Sequence, residues 1–331
     1  MRTTGRIACV HEPEMDLPLI VQACAEHRFR VVFQQFHPQT ELSGAQRCTN
    51  ALQSGAEYGN ERRRAVSCCW SSAWGSVVSV VEQRDVTLSE AQIAEFRQNG
   101  IVGPFDLFSP EEAQAIKRRI RRETAKPGPH FESEGFRHLD CPTVWEVSAR
   151  AEIVERLAQL LGPNLVLWRS QLFNKPPNEP NRELPWHQDA SNWPIAPGNT
   201  VTAWITFDDA TRESGCMEVL PGQNTTLIEQ REAEGFERFR YQADLSKLDL
   251  GSSRHVEVRA GQFLLFDDLL PHRSGGNTTP AERLALAARA TRPEIPIATE
   301  RFFDDYRVLL LRGSHEQGVN PIGPPPIREV E

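Results

Sequence analysis

The sequence predicts a mainly β, α+β domain whose sheet closes on itself as a sandwich or barrel. Helical patterns are confined to a block between Thr87 and Leu161, and β-rich segments follow from Leu165 to Ala290. Turn pairs such as Gly162-Pro163 and Pro221-Gly222 punctuate that second block, and no internal repeat is visible. Helices first and several strands afterwards suggest an α+β domain of this kind.

Residues 1–84 read differently from the rest. They contain no lysine, periodicity is poor, and polar clusters at Gln39–Gln46 and Gln53–Asn60 break each apolar run. A poorly ordered extension, a small accessory domain, and an upstream stretch translated from a misplaced start all fit. Poor order is the expectation, because little apolar surface is available to offset chain entropy. Residues 85–331 are expected to form the main domain, with a core over about 87–292 and a C-terminal tail over 293–331, in which the proline- and glycine-rich run Gly318–Ile327 reads as loop.

The elements of the main domain follow in order. Thr87 and Glu90 form a capping-box pattern, with Ile93 and Phe96 on one helical face. Ser109-Pro110-Glu111-Glu112 combines an N-cap serine, proline at the first helical position and glutamate three residues after the cap. Ala113, Ile116 and Ile120 supply the apolar stripe of that helix. A third helix is expected over Ala149–Leu161, stopped by Gly162-Pro163. Strands are expected at Leu165–Phe173, Val201–Phe207, Met217–Leu220, Gly261–Phe266 and Leu284–Ala290. Gly215 and Gly222 are expected at turns that need positive φ.

Composition narrows the function. Of the 331 residues 39% are hydrophobic and 25% charged, which is ordinary for a soluble globular chain. The net charge of −8 argues against a nucleic-acid partner, and the arginine runs at Arg62–Arg64 and Arg118–Arg122 read as solvated surface. No apolar stretch reaches the roughly 20 residues of a membrane helix, and no basic segment precedes an apolar run at the N-terminus. A cytoplasmic setting is therefore expected. The seven cysteines fit no C-x-x-C spacing and read as reduced thiols. The expected partner is a small-molecule substrate; nothing in the sequence sets the oligomeric state.

The informative stretch is Leu184-Pro185-Trp186-His187-Gln188-Asp189. In an extended segment side chains two apart share a face, so His187 and Asp189 can converge on one point. Pro271-His272 follows the strand Gly261–Phe266 and the pair Asp267-Asp268, which places a histidine at a strand's exit. Two histidines and one carboxylate on one face of a metal leave three positions open, the arrangement of non-haem iron(II) oxygenases. Ser274 lies two residues beyond His272, and Arg283 eleven residues beyond it on an apparent strand. A five-carbon diacid chelated at iron needs a cation and a hydroxyl for its distal carboxylate, and the planar fork of arginine suits that role. Lys175 reads as a surface residue at a strand end, and His130, His138, His255 and His315 show no ligand spacing.

In these segments the chain resembles the phytanoyl-CoA dioxygenase family over roughly Thr87–Arg292. The resemblance rests on Gln171-Leu172-Phe173-Asn174-Lys175-Pro176-Pro177, Trp186-His187-Gln188-Asp189 and Thr202-Ala203-Trp204-Ile205. It continues through Ser214–Gly222 and through His272-x-Ser274-x-x-Asn277 on to Arg283. It implies a double-stranded β-helix, a jelly-roll, cupin-like barrel with flanking N-terminal helices. It also implies that His187, Asp189 and His272 bind Fe(II), that Arg283 and Ser274 hold 2-oxoglutarate, and that O2 is the oxidant.

The same resemblance gives Trp204 a contact with the cosubstrate, beside which Thr202 can offer a hydroxyl, and makes Arg137 a further cation near it. Gln171 and Trp193 match substrate-lining positions. The implied reaction is hydroxylation of an acyl, amino-acid-like or specialised metabolite with release of succinate and CO2. Related halogenases replace the carboxylate ligand with a small residue; Asp189 keeps it, which favours hydroxylation or another oxidation. A facial-triad oxygenase without 2-oxoglutarate, and a non-catalytic metal- or ligand-binding barrel, are the competing readings.

Overall fold

The computed structural model describes residues 86–125, 134–233, 236 and 241–328, with three short strands nearer the N-terminus. The chain divides into two compact units, Met1–Asp85 and Val86–Glu331. In the first, β1 (Phe29–Gln35), β2 (Val66–Cys68) and β3 (Ser76–Glu82) pair antiparallel in the order β1-β3-β2, strands that the sequence did not suggest. The poor order expected elsewhere in residues 1–84 concerns positions outside the described residues, as do Arg62–Arg64 and His130.

The second unit opens with four helices and one strand: α1 (Glu90–Asn99), β4 (Ile101–Asp106), α2 (Pro110–Glu123), α3 (Pro142–Ser148) and α4 (Ala151–Leu161). The cap of α1 is Ser89 with Gln92, two residues beyond the expected Thr87 and Glu90. Ser89 Oγ accepts from Gln92 N, and Gln92 Oε1 accepts from Ser89 N. The shift has a local cause: Leu88, just before the cap, is buried, and its backbone is clasped on both sides by the Gln159 amide. The second cap is as expected, with Ser109 and Glu112 reciprocal, Pro110 at the helix start, and Ala113, Ile116 and Ile120 buried. The third expected helix starts at Ala151 rather than Ala149 and ends at Gly162, whose φ is 114°. The short α3 was not anticipated.

The strands of the barrel follow: β5 (Leu165–Lys175), β6 (Leu184–His187), β7 (Val201–Thr206), β8 (Met217–Val219), β9 (Gln230–Glu232), β10 (Tyr241–Ala243), β11 (Arg254–Val256), β12 (Gln262–Asp267), β13 (His272–Ser274), β14 (Arg283–Thr291), β15 (Val308–Arg312) and β16 (Ile322–Gly323). A seven-stranded major sheet runs β16-β15-β5-β14-β7-β12-β4, and a four-stranded minor sheet runs β11-β8-β13-β6. All pairings are antiparallel except β15 with β16. This is the double-stranded β-helix the sequence resemblance implied. Residues 293–331 are not wholly a tail: Val308 and Leu309 are buried in the major sheet, and Tyr306 Oη donates to the Trp168 carbonyl at 2.8 Å.

Strand alternation sorts the core. On β14, Leu284, Leu286, Ala288 and Ala290 pack with α2 and α4 residues such as Ile120, Ile153 and Leu157. Arg283, Ala285, Ala287 and Arg289 occupy the opposite face, where Ala285 and Ala287 join Trp204, Met217 and Val219. The helices therefore cover the outer face of the major sheet and leave its inner face for the site.

Candidate metal and cosubstrate site

His187 and His272 are directly opposed residues of β6 and β13, so the antiparallel register alone brings the two imidazoles together. Their ring centroids are 4.2 Å apart. Asp189 leaves the strand and opens a 3-10 turn, Asp189–Ser191, instead of lying on the same extended face as His187. It still converges: one ligand atom from each of His187, Asp189 and His272 lies within 4.8 Å of the others, and His187 Nε2 is 3.9 Å from Asp189 Oδ1. His272 does not sit at the exit of β12 but starts its own strand in the minor sheet.

The turn is held by Gln188, a residue that the sequence reading passed over. Its side-chain amide donates to the Thr226 and Leu269 carbonyls at 2.9 and 2.6 Å and accepts from Ile228 N at 2.7 Å. These bonds fasten the His187–Asp189 link to two other loops. Ala190 N adds a bond to the Asp268 carbonyl.

The donor atoms are prepared for a metal. His187 Nδ1 lies 2.8 Å from the Pro185 carbonyl and His272 Nδ1 lies 3.0 Å from the Leu270 carbonyl. A carbonyl only accepts, so both Nδ1 atoms carry the proton and both Nε2 atoms present a lone pair. Burial, then the neighbouring His187, lowers the pKa of His272 to about 4 and keeps it neutral. Burial opposes the charge on Asp189, but Arg289, the two histidines and Arg169 outweigh it and hold the carboxyl below its usual range. Asp189 Oδ2 is buried with no hydrogen-bond partner among the described residues. An acceptor-rich, partly unsatisfied cluster of this kind fits a divalent cation.

The cavity beside it has a volume of about 560 Å³. Arg283 lies on its wall, 3% exposed, donating from Nη2 to the Gly215 carbonyl at 2.7 Å and standing 5.5 Å from the Trp204 ring centroid. Burial lowers its pKa to about 10, which leaves it charged at neutral pH. Its Nε and the Ser274 hydroxyl are buried without partners among the described residues, and both residues line the cavity, so a carboxylate is well matched to them. Gly215 supports the arrangement with φ 76°; a β-carbon there would collide with the Gly275 carbonyl.

Each expected residue has a definite place. Ser274, Arg283, Trp204, Gln171 and Trp193 line the cavity with the three metal-ligand candidates. Thr202 is paired with both Phe266 and Arg289 and shares the inner face, but it does not line the cavity. Arg137 does not line the cavity, and its guanidinium Nε donates to Asp140 at 2.9 Å. Lys175 is a correction, being 5% exposed rather than on the surface, with its ammonium donating to the Arg182 and Gly275 carbonyls. The reading also missed Arg289 and Arg169, which reach the cavity from the centre of the major sheet. Arg289 stands at an even spacing from Arg283 on one strand, with Ala285 and Ala287 between them on the same face, and that pattern could have found it.

Comparison with known proteins decides the family. The family model for phytanoyl-CoA dioxygenase (PhyH) matches residues 96–285, more than half of the chain. The chain belongs to the phytanoyl-CoA dioxygenase family. The chain spans about half the length of the curated relatives it matches first. A probable phytanoyl-CoA dioxygenase of Caenorhabditis elegans is 31% identical over 160 residues, 45% of this chain and 50% of that protein. An ectoine dioxygenase of Sphingopyxis alaskensis is 25% identical over 252 residues, 66% of this chain and 81% of that protein. Among solved structures, CytC3 with Fe(II) and alpha-ketoglutarate is 25% identical with a TM-score of 0.58, covering 72% of this chain and 94% of that one. The non-heme monooxygenase ThoJ, at 23% identity and a TM-score of 0.59 over 71% of this chain and 87% of that one, shares the fold. No helix among the described residues is long and apolar enough to cross a membrane.

Proposed function

We propose that this member of the phytanoyl-CoA dioxygenase family is an iron(II)- and 2-oxoglutarate-dependent dioxygenase that oxidises a small organic substrate, with release of succinate and CO2. The observation that carries the reading is the convergence of His187, Asp189 and His272 on one wall of a cavity that also holds Arg283 and Ser274. In this reading the two Nε2 atoms and one Asp189 oxygen hold the metal on one face. Arg283 and Ser274 receive the distal carboxylate of 2-oxoglutarate, with the Trp204 ring beside it. The bound iron, with 2-oxoglutarate and O2, supplies the oxidising power that no side chain can.

The remaining steps belong to the protein. The Pro185 and Leu270 carbonyls accept from the two Nδ1 atoms and so aim both Nε2 atoms inward. The arginine fork fixes the direction of the cosubstrate, and the apolar walls exclude water from the reacting carbon. Gln171 and Trp193 face the substrate side. Thr202 supports the wall between Phe266 and Arg289. The retained carboxylate of Asp189 fits hydroxylation or a related oxidation and leaves no place for a halide ligand.

Anaerobic calorimetry with Mn(II), a redox-inert stand-in, tests this. One ion per chain is expected, with loss of binding in His187→Ala and His272→Ala. Arg283→Gln should keep the metal and weaken 2-oxoglutarate by at least about tenfold, the worth of one charge-assisted pair. Unchanged metal binding in both histidine variants would overturn the reading.

A further inference from the structure

Arg169 on β5 and Arg289 on β14 are directly opposed in the antiparallel register, and both line the cavity. Like charges placed opposite one another on one sheet face destabilise it unless something between them is negative. Arg289 is 4% exposed, and its Nε and Nη1 have no hydrogen-bond partner among the described residues; nor has Arg169 Nε. The carboxylate that faces them is Asp189, 3.7 Å from Arg289 Nη2 and too far for a hydrogen bond. That carboxylate is engaged by the metal in the function proposed above, on which this inference rests.

Aromatic rings surround the pair. Arg289 stands 4.8 Å from the Trp193 ring and 6.0 Å from Phe173, and Arg169 stands 5.0 Å from Phe136. Aromatic faces soften a cation without neutralising it. Burial pushes the pKa of the Tyr306 phenol near Arg169 up, so it stays protonated. The distal end of the cosubstrate has its own cation in Arg283, six residues earlier on β14, or about 20 Å of extended strand.

We propose that Arg169 and Arg289 form an anion subsite for the primary substrate. The substrate is a free carboxylic acid whose carboxylate bridges the two guanidinium groups, with an apolar body against Phe173, Leu184, Trp193 and Met217. The oxidised carbon lies near that carboxylate, because Arg289 neighbours the metal ligand Asp189. A thioester at this point of the pocket leaves both arginines unmatched. The C1 carboxylate of 2-oxoglutarate is the other possible source of the anion, and the test separates the two.

The measurement uses the full chain loaded anaerobically with Mn(II) and 2-oxoglutarate. Straight-chain monocarboxylates of two to ten carbons, each with its primary amide, are titrated while Trp fluorescence is followed. At least one acid should bind about tenfold or more tightly than its amide, and Arg289→Gln and Arg169→Gln should each erase that preference. In both variants the affinity for 2-oxoglutarate should stay within about threefold of wild type, whereas Arg283→Gln weakens it by at least about tenfold. If no acid is preferred over its amide by the wild type, the inference is wrong whatever the variants do. It is also wrong if the arginine variants lose 2-oxoglutarate as Arg283→Gln does, since the pair then serves the cosubstrate. Failure to bind Mn(II) at all defeats the underlying functional reading instead, so the two failures are distinguishable.

Discussion

His187 and His272 obey the same local rule: each imidazole donates from Nδ1 to the carbonyl two residues upstream, Pro185 in one case and Leu270 in the other. That repeated bond turns both Nε2 atoms toward the proposed metal position, and neither carbonyl is visible in a spacing pattern. His138 has a different fate. It is fully buried, its Nδ1 is 3.0 Å from Ser170 Oγ, and burial, then Arg307 and Arg169, lowers its pKa to about 3. A folded pKa below the unfolded value of about 6.5 means the unfolded state takes up the proton first as pH falls. The stability His138 contributes is thus present above about pH 6.5 and lost as pH drops toward the folded pKa. The difference in unfolding free energy between wild type and His138→Gln should shrink by about 2 kcal/mol between pH 7 and pH 5, read from urea midpoints. A constant difference would show that His138 titrates alike in the folded and unfolded states. At this scale the sequence singled out His187, Asp189, His272, Ser274 and Arg283, which the structure gathers around one cavity. It was not for Arg289, because an arginine among alanines is recognised as inward-facing only once the partner strands are known.

Elements set the geometry that these residues use. The link from His187 to Asp189 is a strand end running into a 3-10 turn, and three hydrogen bonds from Gln188 hold that turn. Gln188→Ala removes all three and leaves buried partners unsatisfied. Metal affinity should fall by about 10- to 100-fold, the range seen when supports of ligands are lost, while the circular dichroism of the fold is kept. An unchanged affinity would mean the register of β6 and β13 suffices. Ser109→Ala should cost about 1 kcal/mol of stability without touching the metal, since it removes only the cap of α2. The long strands β5, β7, β12 and β14 were readable because each has enough alternation or apolar length to show its period. The minor-sheet strands β6 and β13 span four and three residues, too short to carry one, and they hold two of the proposed ligands. The Thr87 cap failed for a related reason: two overlapping S/T-x-x-E/Q patterns compete, and Gln159 decides between them from 71 residues away.

The whole second unit, Val86–Glu331, contains every residue assigned to metal, cosubstrate and substrate. A chain starting at Val86 should therefore bind Mn(II) with an affinity within about threefold of the full chain, by the same calorimetry. A larger loss would give residues 1–85 a role in the site. Fold class was legible at this scale because helix-then-strand order can be read segment by segment along the chain. The cavity wall was not, since β5, β14 and β7 become neighbours only through non-local pairing. The most direct test of the central claim is anaerobic titration of the metal-free protein with iron(II) and 2-oxoglutarate, watching for the weak visible charge-transfer band of the chelate. The account predicts the band in wild type, and its loss in both His187→Ala and Arg283→Ala at matched cosubstrate concentration. Iron binding without the band contradicts the cosubstrate assignment, and no iron binding contradicts the metal site itself.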